Sequence, residues 1–202
     1  MIHLGMSGRL RVVPADTPHV KHDHVDFVLD SGKVLRFHDP RRFGSILWVG
    51  EDAANSKLLK NLGPEPFDET LKGAALYRVS RGRKTSIKQF IMDGRVIVGV
   101  GNIYASEALF RAKIRPGRAA GRVTLSRFEQ LLDAIRQVLS EAIKAGGTTL
   151  RDYSRVTGEP GYFEQSLDVY ERAGRPCVNC GTAIRRKVIG QRASYYCPRC
   201  QI

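Results

Sequence analysis

All four cysteines of the chain fall within its last 26 residues, as Cys177-x2-Cys180 and, sixteen residues on, Cys197-x2-Cys200. Each pair makes a tight knuckle that aims two sulfurs at one point. The segment between them is long enough for a hairpin that brings the knuckles together, which is the spacing of a four-thiolate zinc site. Two disulfides or a redox pair are the competing readings. Neither a secretory leader nor a thioredoxin-like βαβ context accompanies the cysteines. Four thiolates fill a tetrahedron and leave no position for water, so the expected metal is one structural Zn2+. Residues 174–202 contain no Asp or Glu and six basic residues: Arg175, Arg185, Arg186, Lys187, Arg192 and Arg199. Structural zinc contributes roughly 10–16 kcal/mol in finger peptides, enough to order a segment with little apolar core. The basic surface of such a hairpin suits phosphate contact, with a solvated charged face as the alternative.

The rest of the chain has the same charge bias. Lys and Arg number 33 against 20 Asp and Glu among 202 residues, for a formal charge of +13. That excess attracts polyanions: DNA, RNA or an anionic membrane surface. A hydrophobic content of 42 % excludes a disordered basic tail. No uncharged apolar run approaches the roughly 18 residues of a membrane span, and Met1–Met6 has no leader-like pattern. A cytoplasmic nucleic-acid binder that does not enter a membrane is the expected class.

Residues 1 to about 50 read as β. Val25, Phe27 and Leu29 alternate with Asp26 and Asp30, Ser31-Gly32 offers a turn, and Val34 to Phe37 continues the pattern, which predicts a hairpin. Ser45 to Val49 is a further strand. His22-Asp23-His24 invites a metal reading, but its position in or before a strand fits surface or phosphate-contact histidines better. Helices are expected over 53–62, 85–92, 102–113 and 126–145, with a linker over 65–72. The last helix is the clearest. Phe128, Leu131, Leu132, Ile135, Leu139 and Ile143 follow three- and four-residue steps, Ser126 with Glu129 reads as a capping box, and Gly146-Gly147 ends it. Residues 78–95 hold six basic residues, including Lys88, against one acid, Asp93, and could clamp phosphates. Gly99-x-Gly101 fails the dinucleotide fingerprint because position 104 is Tyr, so a helix start capped by Asn102 is the better reading.

Several stretches taken together resemble the formamidopyrimidine-DNA glycosylase family, bacterial enzymes that excise oxidised purines. They are His3 to Gly8, Lys21 to Val25, Asp39-Pro40-Arg41-Arg42-Phe43-Gly44, Gly99 to Glu107 with its Asn102-Ile103-Tyr104, Gly146 to Leu150, Gly158 to Phe163, and the cysteine ribbon with Gln191-Arg192-Ala193. They span the whole chain in family order and look more like the oxidised-purine branch than the endonuclease VIII branch. The resemblance implies an α+β chain in three parts. These are a partial β-sandwich over 1–62, a helix–two-turn–helix domain with a lesion-loop segment over 63–168, and a zinc ribbon over 169–202. The family binds duplex DNA between its halves. The resemblance places Asn102, Arg192, His22, Arg42 and Lys88 on the DNA backbone. Met6, Arg41 and Phe43 would enter the duplex: Met and Phe wedge the hole left by a flipped nucleotide, and Arg bonds the widowed cytosine. On residue type alone, Met6 and Phe43 belong in a core. The loop over 155–162 matches the lid over the flipped base.

The family's chemistry uses an N-terminal proline as nucleophile, helped by a glutamate and a sandwich lysine. This sequence begins at the strand carrying His3 to Met6, so about seventy upstream residues are expected to be missing, and no catalytic residue is carried over. A partial sandwich would also leave strand edges unpaired. The expected activity is a glycosylase and AP lyase by resemblance, acting as a monomer on double-stranded DNA with an oxidised purine or abasic site. The alternative is a binding module that grips damaged DNA without cutting it. A zinc-ribbon RNA-binding protein fits the charge and the cysteines but not Arg41-Arg42-Phe43.

Overall fold

The computed structural model describes residues 1–51, 56, 58–146 and 167–202. The expected lid over 155–162 and the Gly147 to Leu150 and Gly158 to Phe163 stretches lie outside them. The architecture is α+β, in two compact units: Met1–Leu59 with Ala142–Ser166, and Lys60–Glu141 with Leu167–Ile202.

The first unit is built on five strands: β1 (Ile2–His3), β2 (Arg9–Pro14), β3 (Asp23–Val28), β4 (Lys33–His38) and β5 (Ser45–Ile46). β3 and β4 form the expected hairpin, with Gly32 at φ 72° in its loop. β4 is the central strand of an antiparallel sheet ordered β2-β4-β3, while β1 pairs with β5. The strand expected over 45–49 is shorter, since pairing stops at Ile46 and Trp48 is 92 % exposed. The middle of the sheet is polar. Arg36 on β4 is buried and lies across from Arg11 and Asp26 on its neighbours. Its guanidinium donates to both Asp26 carboxylate oxygens at 2.8 and 2.9 Å and to the carbonyls of Pro18 and Thr17 at 3.1 Å. Asp23 accepts from His38 Nδ1 at 2.8 Å and lies 3.5 Å from Arg36. A buried guanidinium is tolerated because each face of its fork has an acceptor.

The second unit holds α1 (Gly73–Ser80), α2 (Ile87–Ile91), α3 (Asn102–Arg111), α4 (Leu125–Lys144) as far as Glu141, and the hairpin β6 (Arg185–Ile189) and β7 (Arg192–Tyr196). Of the helix expected over 53–62, residues 58–61 are turns and most of the remainder is outside the described residues. α4 buries Phe128, Leu131, Leu132, Ile135 and Leu139, while Ile143 turns outward. Its start differs from the expected capping box. The helix begins one residue earlier, and Thr124 Oγ1 accepts from Arg127 N. Glu129 instead caps a different helix: its two oxygens accept from Gly73 N and Ala74 N, the free first-turn donors of α1, at 2.9 and 3.1 Å. Arg136 on α4 donates to the carbonyls of Pro66, Asp68 and Leu71, which fixes the segment expected as a linker.

Candidate nucleic-acid interface

Each unit carries its own group of candidate side chains. In the first unit, the Leu4–Ser7 turn and the Pro40–Phe43 loop come together. Gly5 has φ +62°, and a Cβ there would lie 2.6 Å from the Phe43 carbonyl carbon, so the close approach of the two segments requires glycine. Met6 is 50 % exposed and Phe43 60 % exposed, so neither is a core residue. The Arg41 guanidinium lies 5.6 Å from the centre of the Phe43 ring. Arg42 sits beside them with φ 55°, and His22 has φ 78°. Left-handed backbone at non-glycine residues persists only where surrounding structure over-determines it, and it clusters at functional sites. A bulge between Asp23 and Val25 re-aims this end of β3. Burial, followed by the charges of Lys21, His38, His24 and Arg42, lowers the His22 pKa. His24 Nε2 lies 2.9 Å from the Asp39 carbonyl and His38 pairs with Asp23, so these histidines serve the backbone and the sheet. The metal-ligand cluster among the described residues is the cysteine set.

In the second unit, α3 presents its N-terminus. Gly101, not Asn102, is the N-cap, and Asn102 is the first helical residue. Asn102 departs from the expected cap because its Nδ2 donates to Tyr170 Oη at 3.1 Å, away from the first-turn amides. Its Oδ1 is buried without a partner, and the amide side chain is only half-buried. Tyr170 is held in turn by Glu107, a fully buried carboxylate of α3 that accepts from the amides of Asp168, Val169 and Tyr170 at 2.8 to 3.1 Å. Burial raises the Glu107 pKa and those three amides oppose the shift. Sequence reasoning missed Tyr170 and Glu107. Neither belongs to a charge run; Glu107 closes the Gly99–Glu107 stretch that carries the resemblance, and Tyr170 follows the alternation Leu167, Val169.

The four cysteine Sγ atoms lie within 4.8 Å of one another. Tetrahedral Zn–S bonds of about 2.3 Å separate sulfurs by roughly 3.8 Å. The Cys177–Cys200 and Cys180–Cys197 pairs, at 3.9 and 3.5 Å, match that spacing and are far too long for disulfides. Cys200 N points at Cys197 Sγ at 3.3 Å, as expected for a thiolate-binding knuckle. Behind the sulfurs, Phe110, Val169, Ile184 and Tyr195 pack into a small apolar cluster.

The hairpin between the knuckles turns on Gly190 and Gln191, both left-handed at φ 55° and 60°. Arg192 follows at the start of β7 and is exposed. Lys88 is placed differently from the expected backbone contact. It is 1 % exposed, and its ammonium donates to Ala193 O at 2.9 Å and Ser194 Oγ at 2.8 Å. Burial, with the nearby Arg192 charge, lowers its pKa to about 8. Lys88 therefore docks the hairpin onto α2 rather than offering a free charge. Its chain position among basic residues gave no sign of this, because burial is set by the hairpin more than a hundred residues away.

A basic, metal-stapled hairpin packed beside the N-terminus of a helix defines the class: a zinc-ribbon helix–two-turn–helix protein built to hold nucleic acid. Sequence comparison narrows it. The family models of the formamidopyrimidine-DNA glycosylase N-terminal domain, its H2TH domain, and the zinc finger found in FPG and IleRS match residues 1–46, 62–154 and 174–202. The formamidopyrimidine-DNA glycosylase of Syntrophotalea carbinolica is 61 % identical over 201 residues, covering 100 % of this chain and 74 % of its own length. That of Alcanivorax borkumensis is 59 % identical with the same coverage. The crystal structure of the Thermus thermophilus Fpg protein superposes with a TM-score of 0.86 at 41 % identity, over 99 % of this chain and 74 % of that one. Lactococcus lactis Fpg in complex with abasic-site DNA gives 0.90 at 33 % identity, over 99 % and 73 %. The chain belongs to the formamidopyrimidine-DNA glycosylase family, and its cysteine cluster is that family's structural zinc site. No described helix is long and apolar enough to cross a membrane.

Proposed function

We propose that this chain recognises duplex DNA carrying an oxidised purine or an abasic site, as part of base excision repair in the bacterial cytoplasm, and that it does so as a monomer. The observation that carries the reading is the Met6–Arg41–Phe43 group, whose apolar members are exposed although their residue types belong in a core. Asn102 and Tyr170 at the start of α3 and Arg192 on the zinc hairpin grip phosphates flanking the lesion. His22 and Arg42 hold the backbone from the first unit. Lys88 contributes through the hairpin that presents Arg192. Met6 and Phe43 enter the stack where a nucleotide has left it, and Arg41 bonds the base left without a partner. The chain is read in three parts, 1–62, 63–168 and 169–202, each supplying one element of that grip.

A second reading adds the family's glycosylase and AP-lyase chemistry to this chain, and the 61 % identity to a relative of that name favours it. Borohydride trapping on abasic duplex separates the two. A covalent adduct supports chemistry. Tight binding to the abasic duplex with no adduct supports recognition alone. Equal affinity for abasic and intact duplex overturns both.

A further inference from the structure

The loop bearing Arg41, Arg42 and Phe43 is organised by a side chain to which the family resemblance gives no role. Asp39 directly follows β4 and is 1 % exposed. One carboxylate oxygen accepts from Ser7 Oγ at 2.7 Å, and the other from Gly44 N at 2.8 Å. Arg41 N donates to the same Ser7 hydroxyl at 3.3 Å. Burial pushes the Asp39 carboxyl up, yet the donors from Gly44, Ser7 and the Arg41 and Arg42 amides outweigh it and hold the group below its ordinary value. A buried charge stabilised by several neutral donors is costly to move, and a fully satisfied polar network selects one arrangement of the backbone around it.

Two chain segments meet at this carboxylate. Ser7 follows Met6 directly, and Gly44 follows Phe43. We propose that Asp39 is a positioning residue: through Ser7 and the loop amides it locks Met6, Arg41 and Phe43 into one preformed wedge, and so sets the preference for lesion-bearing over intact duplex. This rests on the reading of those three residues as duplex-inserting. A loose loop would have to order its backbone during insertion, and that cost would fall on the lesion complex alone.

The test uses the full metal-loaded chain and two duplexes, one intact and one with a tetrahydrofuran abasic analogue opposite cytosine. A 2-aminopurine beside the lesion reports insertion. Asp39→Asn keeps the volume but sets an NH2 donor against the loop's own donors. It is expected to lower the lesion-over-intact affinity ratio by about tenfold. Intact-duplex binding and its salt dependence should stay as in the unsubstituted chain. The 2-aminopurine change should be lost even at saturating protein. Ser7→Ala removes only the link between the segments and is expected to act in the same direction; it carries the test if Asp39→Asn does not fold. A substituted chain with the original ratio and signal, or one weakened equally on both duplexes, overturns the positioning role. Phe43→Ala in the same assay separates the layers. If it too leaves ratio and signal intact, the wedge reading falls and the Asp39 role with it. If it abolishes them while Asp39→Asn and Ser7→Ala do not, only the positioning role falls.

Discussion

Among the described residues up to Glu51, two apolar side chains are buried, Val34 and Phe37, against four polar ones, Ser7, Arg36, His38 and Asp39. The second unit reverses that balance. Leu76, Ile87, Phe90, Ile91, Leu109, Phe128, Leu131 and Leu132 are all buried, and the four-cysteine zinc site closes its tail. The first unit is thus held mainly by directional bonds to charged groups, the second by apolar burial and a metal. Burial tolerates small shifts of its partners, whereas hydrogen bonds to charge do not. A unit of the first kind fixes a few exposed side chains at the expense of robustness. One of the second kind supplies a durable frame for Arg192 and Asn102.

Metal removal should expose the difference most strongly. Chelation withdraws a binding free energy of roughly 10–16 kcal/mol from the ribbon. Tyr195 and Cys197 belong to the apolar cluster behind the metal, so the ribbon should lose its tyrosine near-ultraviolet circular dichroism. Amide protection in β2, β3 and β4 should persist. Simultaneous loss in both units would mean that the zinc supports the first unit as well.

Next in size is Phe128→Ala. The ring is fully buried and makes edge contacts with Tyr77 at 6.3 Å and Phe90 at 5.9 Å. Truncation should cost about 3–5 kcal/mol, read from denaturant unfolding of the helical unit. A cost near zero would show that the helices are not held by this core.

Acid should act the other way round. A hydrogen bond from Arg36 lowers the Asp26 carboxyl. For Asp23, burial raises the pKa, but the Val20 amide and His38 more than offset it, and Asp39 is lowered by its loop donors. Carboxyls depressed on folding contribute fully above their unfolded pKa of about 3.9, and the contribution is lost as pH falls below it. The β2–β4 amides should therefore lose protection below about pH 4. Glu107 in the second unit is shifted upward, so its protonation favours that folded unit as pH falls. Loss of α4 protection before β4 protection on acid titration would contradict the contrast.

The smallest expected effect is local. Glu129→Ala leaves two donors of α1 uncapped and should cost about 1 kcal/mol. It should raise amide exchange at Gly73 and Ala74 without altering β4.

The same elements mark how far the fold and the site are legible in the amino-acid sequence. The cysteine spacing, the β3–β4 hairpin and the α4 stripe follow from local period and turn chemistry, and all three are present. Glu129 sits three residues after Ser126, yet it serves α1 from 56 residues away. Lys88 looks like a phosphate ligand by composition and is buried by a distant hairpin. Met6 and Phe43 have the residue types of a core and are exposed, which the family resemblance anticipated and residue type alone did not. Asn102, Tyr170 and Glu107 form a chain whose members lie up to 68 residues apart. In each instance the deciding partner is non-local, so no window along the sequence contains it.

The central claim is that the chain holds lesion-bearing duplex with Arg192 bound to a phosphate. The most direct measurement is a salt titration of the metal-loaded chain and of Arg192→Ala on abasic and intact duplexes. Binding should be tighter to the abasic duplex, and the log–log salt slope should flatten by about 0.9 when one phosphate contact is lost. Equal affinity for the two duplexes, or an unchanged slope in Arg192→Ala, would contradict it.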